Sequence, residues 1–95
     1  MDQTEPIRHL SPATSEDVLL RLRRIEGQVR GVQRMVEEGR DCRDMVIQIA
    51  AVRAALSSVV TEVLQCYAHN CFDDAERDRD ATIHELMSLM LKSTR

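Results

Sequence analysis

Residues 41–71 read DCRDMVIQIAAVRAALSSVVTEVLQCYAHNC, and neither Gly nor Pro interrupts residues 40–71. Met45, Ile49, Val52, Leu56, Val59, Val63 and Cys66 recur at steps of four and three, and a second apolar stripe runs Val60, Leu64, Tyr67, Cys71. That spacing predicts one helix of roughly 30 residues, about 45 Å long, buried on two sides. Asp41 is placed to cap it, which puts Cys42 in its first turn. Cys42 and Cys71 are 29 residues apart in the sequence, and on a straight helix that is a separation of about 43 Å. If they belong to one site, the second thiol comes from another copy of the chain, running antiparallel, so that Cys42 of one protomer meets Cys71 of the partner subunit. The midpoint of the pair falls between Leu56 and Ser57, amid Ala54, Ala55 and Ser58. Small side chains there let two copies cross closely at a two-fold axis.

On the N-terminal side, Val18, Leu22, Ile25, Val29, Val32 and Val36 step by four and three and predict another amphipathic helix. It is expected to start near Thr14 or Ser15, where Thr14 and Asp17 have capping-box spacing, and to stop at Gly39. Gly27 and Gly31, four apart, are expected to allow close helix approach. Residues 1–13, with Pro6 and Pro12, read as a flexible arm, and residues 14–95 as a single helical domain. Beyond Cys71, the acidic stretch 73–80 reads as a turn or loop. Ile83, Leu86, Met87, Met90 and Leu91 mark a short third helix over Thr82 to Lys92.

A chain of 95 residues with 43% hydrophobic side chains but one Tyr and one Phe has little aromatic volume for a core of its own. An all-α domain of this kind satisfies its apolar faces by oligomerising. The net charge of −3 does not advertise nucleic-acid binding, but its distribution does more. Residues 18–34 hold Arg21, Arg23, Arg24, Arg30 and Arg34 against Glu26 alone, and Arg23, Arg30 and Arg34 project within roughly 40° of one another on a helix. Arginines without lysines suit phosphate contacts better than solubility alone requires. The start of the chain does not resemble a signal peptide, and no window is expected to span a membrane. Three cysteines, an odd number, fit reduced thiols in a cytoplasm, available for metal or redox chemistry. No paired carboxylates, nucleophile–base pair or phosphate loop points to an enzyme.

Cys42, at the positive end of a helix dipole and next to Arg40 and Arg43, has the setting of a reactive or metal-binding sulfur. Cys66 continues the apolar seam and reads as a core cysteine. His69 lies about 160–200° from Tyr67 and Cys71 around the helix and reads as solvent-facing. His9 sits in the arm, and His84 reads as a surface residue.

The strings Arg23-Arg24-Ile25-Glu26-Gly27-Gln28, Cys42-Arg43 and Gln48-Ile49-Ala50-Ala51-Val52-Arg53-Ala54-Ala55 strongly resemble the CsoR/RcnR/FrmR family of bacterial transcriptional repressors. The resemblance runs from about Val18 to Leu91. It implies a three-helix protomer, an antiparallel four-helix-bundle dimer assembled as a dimer of dimers, and operator double-stranded DNA as partner. It also implies Arg21, Arg23, Arg24, Arg30 and Arg34, with Arg53 from the second helix, as the DNA-contacting set. In the copper-sensing branch the junction cysteine is followed 25 residues later by His and 29 later by Cys. Here Cys71 holds the second position and Tyr67 the first.

A phenol is a poor Cu(I) ligand, because soft metals prefer sulfur and nitrogen. The Cys-Tyr-Cys pattern resembles the persulfide-sensing CstR branch, and the expectation is a repressor whose Cys42/Cys71 pair senses reactive sulfur and requires no cofactor. The alternative is a Cu(I) sensor in which His9, Cys66 or His69 supplies the missing ligand. A further alternative is a structural helical oligomer with inert cysteines. Glu85 matches the third-helix acid that partners the copper-site histidine in the family, a role in question with Tyr67 in that place.

Overall fold

A computed structural model describes residues 9–73 and 78–93, and for residues 71–73 the backbone alone. Its helices are α1 (Pro12–Glu37), α2 (Cys42–Asp73) and α3 (Arg79–Ser93), and no strand occurs among the described residues.

α1 begins earlier than the Thr14–Asp17 spacing suggests. Ser11, in an extended conformation, is its N-cap: the Ser11 hydroxyl accepts from the Thr14 N–H at 3.3 Å and donates to the Thr14 hydroxyl at 2.9 Å. Pro12 follows at the first helical position, where a missing N–H costs nothing. Thr14 thus lies inside the first turn, and Asp17 reaches along the helix to Arg21 instead of back to a cap. Of the arm expected over residues 1–13, residues 1–8 lie outside the described residues and Pro12 and Ala13 are already helical.

Gly39 ends α1 with φ +66°, a left-handed conformation that an L side chain rarely adopts. Its N–H donates to the Val36 carbonyl at 3.1 Å and the Arg40 N–H to that of Met35 at 2.9 Å, the paired bonds of a Schellman turn. Two residues later Asp41 opens α2, its carboxylate accepting from the Arg43 N–H at 3.1 Å. So short a connection makes α1 and α2 antiparallel neighbours. α3 likewise starts three residues before Thr82, because Asp78 caps it. The Asp78 side chain accepts from the Asp80 N–H, and its carbonyl from the Thr82 N–H and hydroxyl, each at 3.0 Å. Residues 74–77 of the expected acidic loop lie outside the described residues.

The α1–α2 seam buries Val18, Ile25 and Val59, with Leu10, Leu22, Val52 and Ala55 packed against them. Much of the remainder of both predicted seams is uncovered: Val29 is 42% exposed, Val36 61%, Ile49 51% and Leu56 43%, while Val32, Met45 and Cys66 are half-buried. The chain measures 56 × 27 × 17 Å, with a radius of gyration of 17.6 Å. A closed domain of this length has about 12 Å. Gly27 and Gly31 are not approached within the chain: a Cβ built on either meets nothing within 4 Å among the described residues.

α2 corrects one expectation. The stretch Cys42–Asn70 is long enough to cross a membrane, and its best window reaches a mean hydropathy of 1.5. Only Arg43, Asp44, Arg53 and Glu62 carry charge across it, which is why a helix with two apolar faces passes this test. Just 6% of that window is buried within the chain.

Candidate functional site

Cys42 is exposed in the first turn of α2. The helix terminus and the Gly39–Asp41 turn fix its position, but its charged neighbours are mixed. Arg40 lies 3.9 Å from Glu38 and 4.0 Å from Asp44, so one of the two arginines flanking it in sequence is shared with two carboxylates. The backbone of Cys71 lies in the same unbroken α2, at its far end; its side chain lies outside the described residues. Intrachain pairing with Cys42 is thereby excluded by the rise of the helix. Among the described residues, no three His, Cys, Asp or Glu side chains come together in a form able to hold a metal ion.

Tyr67, at the place where the resemblance puts histidine, donates its hydroxyl to Glu85 Oε1 at 2.5 Å, bridging α2 to α3. Both residues are half-buried. Sequence reasoning paired these positions only through the family pattern; here a phenol makes the contact, and it is a hydrogen-bond donor to a carboxylate. Beside it, a cleft of about 370 Å³ is lined by His9, Leu10, Ser15, Val63, Cys66, Tyr67 and Asn70. Cys66 is half-buried there instead of sealed in a core, and the Asn70 amide lies 3.9 Å from its sulfur. His9 faces the same cleft, whereas His69 and His84 are exposed.

On the other side of α2 a groove of about 740 Å³ is lined by Ile49, Val52, Arg53, Leu56, Ser57, Val60, Thr61, Leu64, Met90 and Ser93. Its α2 lining runs from residue 49 to residue 64, centred on Leu56 and Ser57, where the cysteine spacing places the two-fold axis. Arg53 opens onto this groove and not onto the side of α2 that meets α1.

Arg23, Arg24, Arg30 and Arg34 are exposed along α1. Arg24 also lines, with Arg21, Gln28 and Ser58, a furrow of about 230 Å³ between α1 and α2. Arg21 is different from the other four: its Nε lies 3.3 Å from Asp17 Oδ2 and 3.3 Å from Glu62 Oε1 of α2. The first contact is an aligned hydrogen bond; the second is an ion pair only, and Glu62 Oε1, shielded from water, has no hydrogen-bond partner. Asp17, able to accept a hydrogen bond from Glu62 once that carboxyl is protonated, pushes it above its ordinary range, aided by burial and the Asp17 charge and opposed by Arg21. Asp17 moves the other way, lowered by the Glu62 hydrogen bond and by Arg21 and Arg24, against its own desolvation. Glu62 was not singled out from the sequence. The signal available was that it is the lone acid between Asp44 and Asp73 on an otherwise apolar helix.

The sequence model of the metal-sensitive transcriptional repressor family matches residues 14–92. The copper-sensing transcriptional repressor CsoR of Bacillus subtilis (strain 168) is 40% identical over 96 residues, spanning 99% of this chain and 95% of that protein. The copper-sensing transcriptional repressor RicR of Mycobacterium tuberculosis is 51% identical over 51 residues, 54% of this chain and 53% of that one. The crystal structure of the copper-sensing repressor CsoR with Cu(I) from Geobacillus thermodenitrificans NG80-2 superposes with a TM-score of 0.77 at 35% identity, over 99% of this chain and all of that one.

Proposed function

Because this chain belongs to the metal-sensitive transcriptional repressor family, we propose that it binds operator DNA through the arginine face of α1 and releases it when Cu(I) is held between Cys42 of one protomer and Cys71 of the partner subunit. It is a transcriptional repressor and not an enzyme. The observation that carries the copper reading is full-length similarity, at 40% identity, to a copper-sensing repressor. This reverses the order of the two inducers drawn from the sequence, where Tyr67 put reactive sulfur first. Requiring no cofactor goes with that earlier order, since copper here is the ligand that carries the signal.

Two thiols suit Cu(I), which favours soft donors. Tyr67, held by Glu85, supplies hard oxygen and is not counted among the ligands. Cys66 and His9, which share the cleft beside Tyr67, are the candidates for a third donor; exposed His69 is the lesser one. The assembly that joins the thiols is an antiparallel dimer seated on the groove around Leu56 and Ser57, and two such dimers make a tetramer. A cytoplasmic location, without a membrane role, accords with this function: the apolar length of α2 is then covered by protein.

Reactive sulfur remains the second reading, favoured by the Tyr67–Glu85 bond, which takes up the position where a nitrogen ligand would stand.

Fluorescence anisotropy on labelled duplexes from the region upstream of the protein's own coding sequence separates the two. Under strictly anaerobic conditions, one Cu(I) per protomer is expected to release the duplex, and Cys42→Ser or Cys71→Ser to abolish release. Copper without effect, together with release by an organic persulfide and a Cys42–Cys71 cross-link on non-reducing gels, would overturn the copper reading. Duplex binding that survives Arg23→Ala, Arg30→Ala and Arg34→Ala together, with an unchanged salt slope, would remove the arginine face.

A further inference from the structure

We propose that Asp17 and Glu62 form a carboxyl clamp on the Nε edge of Arg21 that competes with operator phosphate for this guanidinium, making Glu62 a negative determinant of DNA affinity. The inference rests on the reading of α1 as the DNA-binding face.

Its ground is the difference between Arg21 and its neighbours. Of the five α1 arginines it alone, among the described residues, makes a salt bridge across the α1–α2 seam, 3.3 Å from a carboxylate on each helix. Its side chain is nevertheless 48% exposed, so the remaining edge of the guanidinium can be reached from outside. The furrow lined by Arg21, Arg24, Gln28 and Ser58 opens at the same place. A phosphate arriving there meets two cations and, directly behind one of them, two acids. Glu62 is the more constrained of these, with its side chain 24% exposed and one oxygen without a hydrogen-bond partner.

The charged groups facing Glu62 are Asp17 and Arg21 from α1, with Arg24 close enough to act on Asp17. Of the two neighbouring carboxyls, Glu62 is the one whose affinity for a proton is raised. Phosphate brought near the pair disfavours its ionised form further. DNA binding therefore takes up a proton at this cluster, and by linkage binding strengthens as pH falls through the raised Glu62 range. Below that range Glu62 is protonated in free and bound protein alike, and the dependence levels off.

The test is a titration of a fluorescein-labelled duplex from the protein's own upstream region with copper-free protein, from pH 5 to pH 8 at fixed salt, on the wild type, Glu62→Gln, Arg21→Ala and the double variant. Glu62→Gln is expected to tighten binding about two- to fivefold at pH 7.5, the size of an exposed ion-pair effect, and to flatten the acid limb of the pH profile. In the Arg21→Ala background the same change is expected to alter Kd by less than about 1.5-fold, because the competition needs Arg21. Glu37→Gln, at the end of α1 and away from the clamp, controls for net charge, and circular dichroism confirms that each variant is folded. Unchanged or weaker binding by Glu62→Gln overturns the proposal, as does a gain that persists without Arg21 or is matched by Glu37→Gln. Failure of the wild type to hold any duplex at any pH is a different result: it sinks the DNA-binding reading itself.

Discussion

Tyr67 and Glu62 show how single side chains redirect a shared scaffold. The Tyr67 hydroxyl ties α2 to α3 through Glu85, both half-buried, in a place where water competes weakly. Tyr67→Phe removes the donor and leaves the Glu85 carboxylate short of it, so a loss of about 1–2 kcal/mol in urea unfolding is expected. Tyr67→His replaces hard oxygen with nitrogen within one helical turn of Cys71. Tighter Cu(I) binding than in the wild type is expected in competition with a chromogenic chelator, and equal affinity would show that this position does not reach the metal. Sequence reading singled out Cys42 and Cys71 by their spacing along one helix, and Tyr67 and Glu85 only through the family pattern. It placed Cys66 in the core because step counting gives an angle around α2 but not whether a neighbour covers that angle. His9 was named as a possible ligand, but its place in the cleft beside Tyr67 could not be read, because where the chain before Ser11 lies depends on packing against α2, and no local pattern encodes that.

The elements were legible where apolar steps are regular and less so at their ends. Asp41 as cap and Gly39 as terminus follow from backbone chemistry that a short motif states outright. Ser11 and Asp78 outcompete the later starts at Thr14 and Thr82 because each lies just before a residue that tolerates the first turn, Pro12 in one case and Arg79 in the other. Gly39→Ala forces a Cβ into the left-handed region and is expected to cost about 1 kcal/mol, read from the urea midpoint. Gly27→Ala is expected to act oppositely. Open space surrounds the site, so the substitution adds helix propensity and should stabilise by about 0.5–1 kcal/mol. A lower midpoint for Gly27→Ala would reveal a neighbour from another protomer against α1.

At the level of the molecule, the three buried hydrophobic side chains among the described residues make too small a core for a chain of 95 residues to stand on. Ile49, Leu56 and Val60 line a groove open to water whose middle coincides with the midpoint of Cys42 and Cys71. In the proposed assembly, a second copy laid antiparallel in it would cover the apolar length of α2 and complete a site that neither chain holds alone. Leu56→Asp places a charge at that crossing and is expected to give monomers by sedimentation equilibrium with a greatly lowered melting temperature. The most direct test of the shared site is subunit mixing. Cys42→Ser and Cys71→Ser proteins each lack one thiol of every pair and are expected to bind Cu(I) weakly. Refolded together at equal amounts, they form mixed dimers in which one of the two sites is whole, so about a quarter of the wild-type high-affinity Cu(I) capacity is expected to return. No recovery in mixtures whose subunits have exchanged would contradict the account, because it would mean that Cys42 and Cys71 of different protomers do not meet.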